Sequence, residues 1–139
     1  MSFQIIEILN PQPEKILAIV SHQNNRITVL VSNKKVEDLV IGKSFQAEIG
    51  YDEILDWKVI PDFEDAKSGI WQEKDVIHLL GRIHSILDYG DGKTIIDVYM
   101  QNGPEYFTVN SEVIDSDSLE SNAGLQITVS NLYIYPNDQ

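Results

Sequence analysis

The chain has 139 residues, 22 acidic against 10 basic side chains, a formal net charge of −12, 42% apolar residues and no cysteine. This is the composition of one ordinary folded domain or two very small ones, and the missing thiols exclude disulfide scaffolds, cysteine nucleophiles and thiolate metal sites. The longest apolar runs, Ile16 to Val20 and Val76 to Leu80, are too short to span a membrane, and Met1-Ser2-Phe3-Gln4 lacks signal-peptide character, so a cytoplasmic location is expected.

No convincing apolar stripe of helical period runs along the chain; short runs rich in Val, Ile, Thr, Tyr and Phe, broken by Asn, Asp, Gly and Pro, predict an all-β fold with little helix. In the first half the strands are Ile16 to Ser21, Arg26 to Val31, Ser44 to Tyr51 and Ile54 to Ile60. A turn at Asn24-Asn25 would pair Val20 with Val29 and Ala18 with Val31. The acidic stretch Pro61 to Gly69 reads as a linker, which divides the chain into 1–60, 61–69 and 70–139, with one compact unit as the alternative. Trp57 and Trp71 flank it and are expected either to pack the halves together or cover the open end of a barrel, or to pack within each half.

The second half opens on a strand through Ile83 to Tyr89, a two-residue turn at Asp91-Gly92, and a strand from Thr94 to Met100. That turn pairs Leu87 with Ile96, Ser85 with Val98 and Ile83 with Met100 on a buried face, with His84 opposite Tyr99 and Ile86 opposite Asp97 outside. A loop at Gln101-Asn102-Gly103-Pro104 would bring Val98 against Phe107 and Ile96 against Val109. Asp115 to Asn122 is a loop or one short helical turn. The last strand runs from Leu125 to Tyr135, with Leu125, Ile127 and Val129 on one face, and a bulge near Ser130-Asn131 hands the apolar phase to Leu132 and Ile134. The expected core comprises Val20, Val29, Phe45, Ile49, Ile83, Leu87, Ile96, Val98, Phe107, Ile127 and Val129. Gly42 and Gly124 each close a polar loop before a strand, the sign of two loosely duplicated halves forming an antiparallel meander or small barrels.

The order of long strand, tight turn, two strands, variable loop and a final strand opened by Gly124 resembles the OB-fold from Ile77 to Tyr135. Tyr51-Asp52-Glu53-Ile54-Leu55-Asp56-Trp57-Lys58-Val59-Ile60 together with Leu80-Gly81-Arg82-Ile83 is similar to small uncharacterised bacterial proteins of two β-rich halves. That resemblance implies no activity and no catalytic residue. The fold alone assigns no function either.

Sequence motifs for catalysis are missing. Ile41-Gly42-Lys43-Ser44 ends like a phosphate-binding loop, but Glu37 stands where that motif needs its first glycine, and the fragment opens a strand instead of a helix. Asp115-Ser116-Asp117-Ser118 begins like a calcium loop, but continues with Leu119 and Glu120 and ends at Gln126 where a glutamate is needed. His78 and His84 lie six residues apart, about 20 Å along an extended strand, so they cannot share a metal. No serine elbow is present. The expectation is a binding protein without enzymatic activity, cofactor or metal.

Charge divides unevenly: residues 1–69 hold 11 acids and 7 bases, residues 70–139 hold 11 acids and 3 bases, and no Lys or Arg follows Lys93. Nucleic acid and anionic membrane are therefore poor partners, because both are bound chiefly by Lys and Arg. The main functional expectation is engagement of a basic protein, as toxin-neutralising immunity proteins do, through Asp97, Glu105, Glu112, Asp115, Asp117 and Glu120 with Tyr99, Tyr106, Tyr133 and Tyr135 as anchors. The alternative is an OB-like module that binds a small molecule, saccharide or peptide through His78, Arg82, His84 and Tyr99.

Overall fold

The computed structural model describes residues 1–11, 15–32, 34–101 and 105–137. Its strands are β1 (Ser2–Pro11), β2 (Ile16–His22), β3 (Asn25–Val31), β4 (Ser44–Tyr51), β5 (Ile54–Ile60), β6 (Gly69–Glu73), β7 (Val76–Asp88), β8 (Thr94–Tyr99), β9 (Tyr106–Ser111), β10 (Gly124–Val129) and β11 (Leu132–Pro136). The helical component of the described residues is three single 3-10 turns, Val36–Asp38, Asp65–Lys67 and Ser116–Ser118. No helix among them is long and apolar enough to cross a membrane. The fold is all-β, as expected from period-two patterning.

The chain forms two compact units, Met1–Ile54 with Ile70–His78 and Val129–Gln139, and Leu55–Gly69 with Leu79–Thr128. In the first unit β1, β2, β3, β11 and β4 close a barrel in that order. Hairpins join β1 to β2 and β2 to β3, β1 closes on β4, and β3 pairs β11 in parallel through Tyr133 and Leu30. That order, with a parallel third and fifth strand, gives an OB-like barrel. Its inward residues Ile5, Ile16, Ala18, Val29 and Ile134 are at most 1% exposed. Burial of each large aliphatic side chain stabilises the fold by about 1.5–3 kcal/mol.

In the second unit the sheet order is β5-β10-β7-β8-β9, with β6 paired to β7 off that path. Its core includes Ile83, Ile96, Val98, Val109 and Ile127, all fully buried. β5 follows β4 in sequence but belongs to the second sheet, and β11 follows β10 but belongs to the first barrel. The spatial units therefore do not coincide with the sequence segments 1–60, 61–69 and 70–139. Within 61–69, Phe63 is buried and a 3-10 turn follows it.

Several registers differ from expectation for local reasons. The β2–β3 hairpin turns at Gln23 and Asn24, both with positive φ (49° and 68°), so Ala18 opposes Val29 and Val20 opposes Ile27. The shift is two residues, which keeps every side chain on its face and preserves the core. Between β7 and β8 the loop is Tyr89 to Lys93, with Gly90, Asp91 and Gly92 all at positive φ, so Asp88 pairs with Thr94. A β-bulge between Ile83 and Ser85 then places Ile83 opposite Val98, not opposite the expected Met100, and leaves Ser85 opposite Asp97 instead of Val98. The bulge reverses the apolar phase beyond it: Ile86 opposes Ile96, and Leu87, expected in the core, is 51% exposed. Phe45 and Ile49 are half-buried, while the other expected core residues are buried.

Val98 opposes Phe107 and Ile96 opposes Val109, as the sequence predicts; the loop expected at 101–104 extends into residues 102–104, outside the described part. The phase change at Ser130-Asn131 separates two strands of different sheets and is not a bulge within one strand.

Candidate functional site

The two halves repeat one turn. Asp38 N–H donates to Lys35 C=O (3.0 Å), Leu39 to Val36 (3.2 Å), Gly42 to Ile5 (2.8 Å) and Lys43 to Val40 (3.1 Å). Eighty residues on, Ser118 donates to Asp115 (3.0 Å), Leu119 to Ser116 (3.1 Å), Asn122 to Ile83 (2.9 Å) and Ala123 to Glu120 (3.2 Å). Gly42 and Asn122 share left-handed φ, +88° and +74°. Gly42 therefore matches Asn122 and not Gly124, the counterpart expected from sequence. Gly124 is small for another reason, since a Cβ there would come within 2.5 Å of the Phe63 ring.

A half-open depression lies beside each turn. In the first unit it has a volume of about 230 Å³, and its polar lining includes Lys34, Lys43, Ser44, Gln46 and Asn137 together with Asp38. Lys34 and Lys43 are two of only ten bases in a chain of net charge −12. The 3-10 turn Val36–Asp38 reverses the chain between them, which brings residues nine apart in sequence to one rim. No periodic signal in the sequence marks this group, because it depends on the 3-10 turn Val36–Asp38 and on left-handed Gly42.

In the second unit the depression has about 300 Å³ and is lined by Asp65, Arg82, Ile83, His84, Tyr99 and Asn122. It brings together three of the four expected ligand-binding residues. Arg82, however, is tied into the fold: Nε donates to Asp65 Oδ1 (2.7 Å), one terminal nitrogen to Asn122 C=O (2.5 Å) and the other to Phe63 C=O (3.0 Å). The Phe63 ring lies 5.5 Å from its guanidinium carbon. Gln4 takes the matching role in the first unit, where its amide donates to Gly42 C=O at 2.7 Å. Asp65 thus gives this depression its own carboxylate counter-charge.

On the outer face of β7, β8 and β9 the His84 ring stacks on Tyr99 at 4.3 Å and 27°, and Tyr106 follows at 5.7 Å from Tyr99. The His84–Tyr99 contact expected from sequence is present, although Tyr99 opposes Arg82 in the ladder and His84 reaches it from the bulge. One step along the strands, Ser85 and Thr108 hydroxyls donate to the two oxygens of Asp97 at 3.1 and 3.0 Å. His78 belongs to the first unit, where its ring packs 5.2 Å from Trp71 and Nε2 lies 3.4 Å from Glu73.

The acidic residues expected to form one surface have separate local settings. Asp97 is held by two hydroxyls, Asp115 caps the 3-10 turn by accepting from Asp117 N–H (3.0 Å), and Glu105 is half-buried. Glu112, Asp117 and Glu120 are exposed. Beyond them, Asp88 accepts from Gly90 N–H and Ser116 Oγ–H, and these bonds hold its carboxyl below the usual carboxylate value. Among the described residues no three His, Asp or Glu converge as metal ligands.

No family model and no curated protein matches the chain. The likeness to two-half bacterial proteins thus gains no support, and neither fold nor comparison supports an immunity role. Among solved structures the chain is similar to the cytoplasmic molybdate-binding protein ModG with molybdate bound, at a TM-score of 0.57 and 14% identity over 96% of this chain and 92% of that one. At that identity the likeness is one of fold: a small all-β, OB-like protein.

Proposed function

We propose that this chain is a small-molecule-binding protein that holds a small oxyanion in the first-unit depression beside Lys34, Lys43 and Ser44. The observation that carries the reading is the convergence of two of the ten bases on one depression of a strongly acidic chain, together with a hydroxyl and two side-chain amides. An ammonium pair supplies charge, and hydroxyl and amide donors supply directed hydrogen bonds to an anion's oxygens. At roughly 30 Å³ per water, about 230 Å³ accommodates one small anion with part of its hydration. Asp38 on the rim tempers the field and disfavours polyanions. The molybdate of ModG is an oxyanion of this class, and ModG's cytoplasmic setting agrees with the location expected here.

Thermal melts in molybdate, sulfate and phosphate against chloride at equal ionic strength test the reading. Ligand at about 100 times its Kd stabilises by about 2.7 kcal/mol, so the melting point should rise by several degrees with at least one oxyanion. The double substitution Lys34→Gln, Lys43→Gln should remove that rise. No rise over chloride, or a rise that survives both substitutions, refutes the site.

A further inference from the structure

Resting on the oxyanion reading above, we infer that the first-unit depression takes an oxyanion that still carries a proton, inorganic hydrogenphosphate, in preference to sulfate or molybdate, and that Asp38 makes the distinction. Among the polar side chains of the lining, Lys34 and Lys43 can only donate, Ser44, Gln46 and Asn137 can do both, and Asp38 can only accept. An anion whose oxygens are all bare has nothing to offer that carboxylate, and meets it charge against charge and lone pair against lone pair. Hydrogenphosphate instead turns its P–O–H towards Asp38 and its bare oxygens towards the ammonium groups. Each charged group of the lining then gains a partner of the right kind.

The turn that builds the rim also holds the carboxylate. Asp38 N–H donates to Lys35 C=O at 3.0 Å, and Asp38 Oδ2 accepts from Lys35 N–H at 3.4 Å. Backbone and side chain are thus both tied to the neighbour of Lys34, which sets ammonium and carboxylate on one rim before a ligand arrives. A carboxylate has about four acceptor positions, so one bond to Lys35 leaves others for a ligand O–H. The matching turn of the second unit carries Ser118 in this position, so the turn itself does not require a carboxylate. Asp38 and Lys43 are exposed and Lys34 is half-buried. Solvent screens charges in such a setting, so the preference is about tenfold, the lower end of what a hydrogen bond to a charged group supplies.

At about pH 8 inorganic phosphate, methyl phosphate, sulfate and molybdate are all dianions, since a phosphate monoester loses its second proton at about pH 6, and inorganic phosphate alone of the four keeps an O–H. Calorimetric titration of the full chain with each, at equal ionic strength, should show phosphate binding about tenfold more tightly than the other three, with molybdate still saturating the depression at higher concentration. Asp38→Asn keeps the shape and an acceptor for Lys35 N–H while adding a donor, so it should bring the affinities for phosphate and sulfate within about twofold of each other. Loss of charge alone would strengthen all four dianions alike and leave their ratio standing. Selection by Asp38 is overturned, with the oxyanion site intact, if sulfate, molybdate or methyl phosphate binds as tightly as phosphate, or if Asp38→Asn keeps the parent's ratio. If none of the four binds, the oxyanion reading falls and the selection with it.

Discussion

Gly81 lies buried in β7, where a Cβ would stand 2.5 Å from the Tyr99 carbonyl oxygen, 2.8 Å from Val98 Cγ1 and 3.1 Å from the Tyr99 carbonyl carbon. The first and last of these are backbone atoms of β8, which no rotamer change can move aside. In Gly81→Ala the two strands must therefore part by several tenths of an ångström beside the Arg82–Tyr99 pair. Overpacking of this kind costs about 1–3 kcal/mol, and weakening a ladder bond adds up to about 1 kcal/mol. The lower entropy of the unfolded alanine chain returns about 0.4–1 kcal/mol. The expected net loss is about 1–3 kcal/mol, a fall in melting point of roughly 4–10 °C for a chain of this size. Gly50→Ala is the control, because its Cβ would meet only the Tyr135 side chain, at 3.1 Å. Thermal melts by circular dichroism should separate the two variants clearly. Gly81→Ala melting within about 1 °C of the parent, or no lower than Gly50→Ala, would refute the backbone-clash reasoning.

Arg82→Met removes the donors that hold Asp65, Phe63 C=O and Asn122 C=O; it should lower stability by about 2–3 kcal/mol and speed proteolytic cleavage between Phe63 and Gly69, and unchanged cleavage there would contradict the anchoring role. The fragment 1–60 lacks β11, which pairs with both β3 and β4 in the first barrel, so it should show no cooperative melt; a sharp transition from that fragment would show that the barrel closes without it. Asp88 has its carboxyl pKa lowered by folding, so its stabilising contribution is full above the ordinary carboxylate range near pH 4 and is lost as pH falls through the lowered value. Asp88→Asn should accordingly lie below the parent in stability at neutral pH and converge with it in acid, and parallel acid profiles would count against the assignment.

The strands that sequence made legible are those whose alternation is clean: β2 and β8 alternate buried and half-buried side chains, β9 buried and exposed ones. β1 was not legible, since register shifts at Ile5/Glu7 and Ile8/Asn10 break its alternation and leave Leu9 45% exposed while Phe3 and Ile5 are buried. The break at Ser130-Asn131 was visible as a change of phase, but phase reports which face a residue takes and not which sheet its strand joins. The same limit applies to the sites. His84 and Tyr99 meet across neighbouring strands, which a hairpin reading can reach. Arg82 is fixed by partners 17, 19 and 40 residues away. The Lys34 and Lys43 rim depends on a 3-10 turn and left-handed Gly42, neither of which leaves a periodic signal.

The most direct measurement of the oxyanion reading is a titration of the isotope-labelled full chain with molybdate at constant ionic strength, followed through its backbone amide resonances. The account predicts saturable shifts concentrated at Val40, Lys43, Ser44 and Gln46, around the first-unit depression. A titration that leaves those amides unmoved, or moves only residues of the second unit, would contradict it.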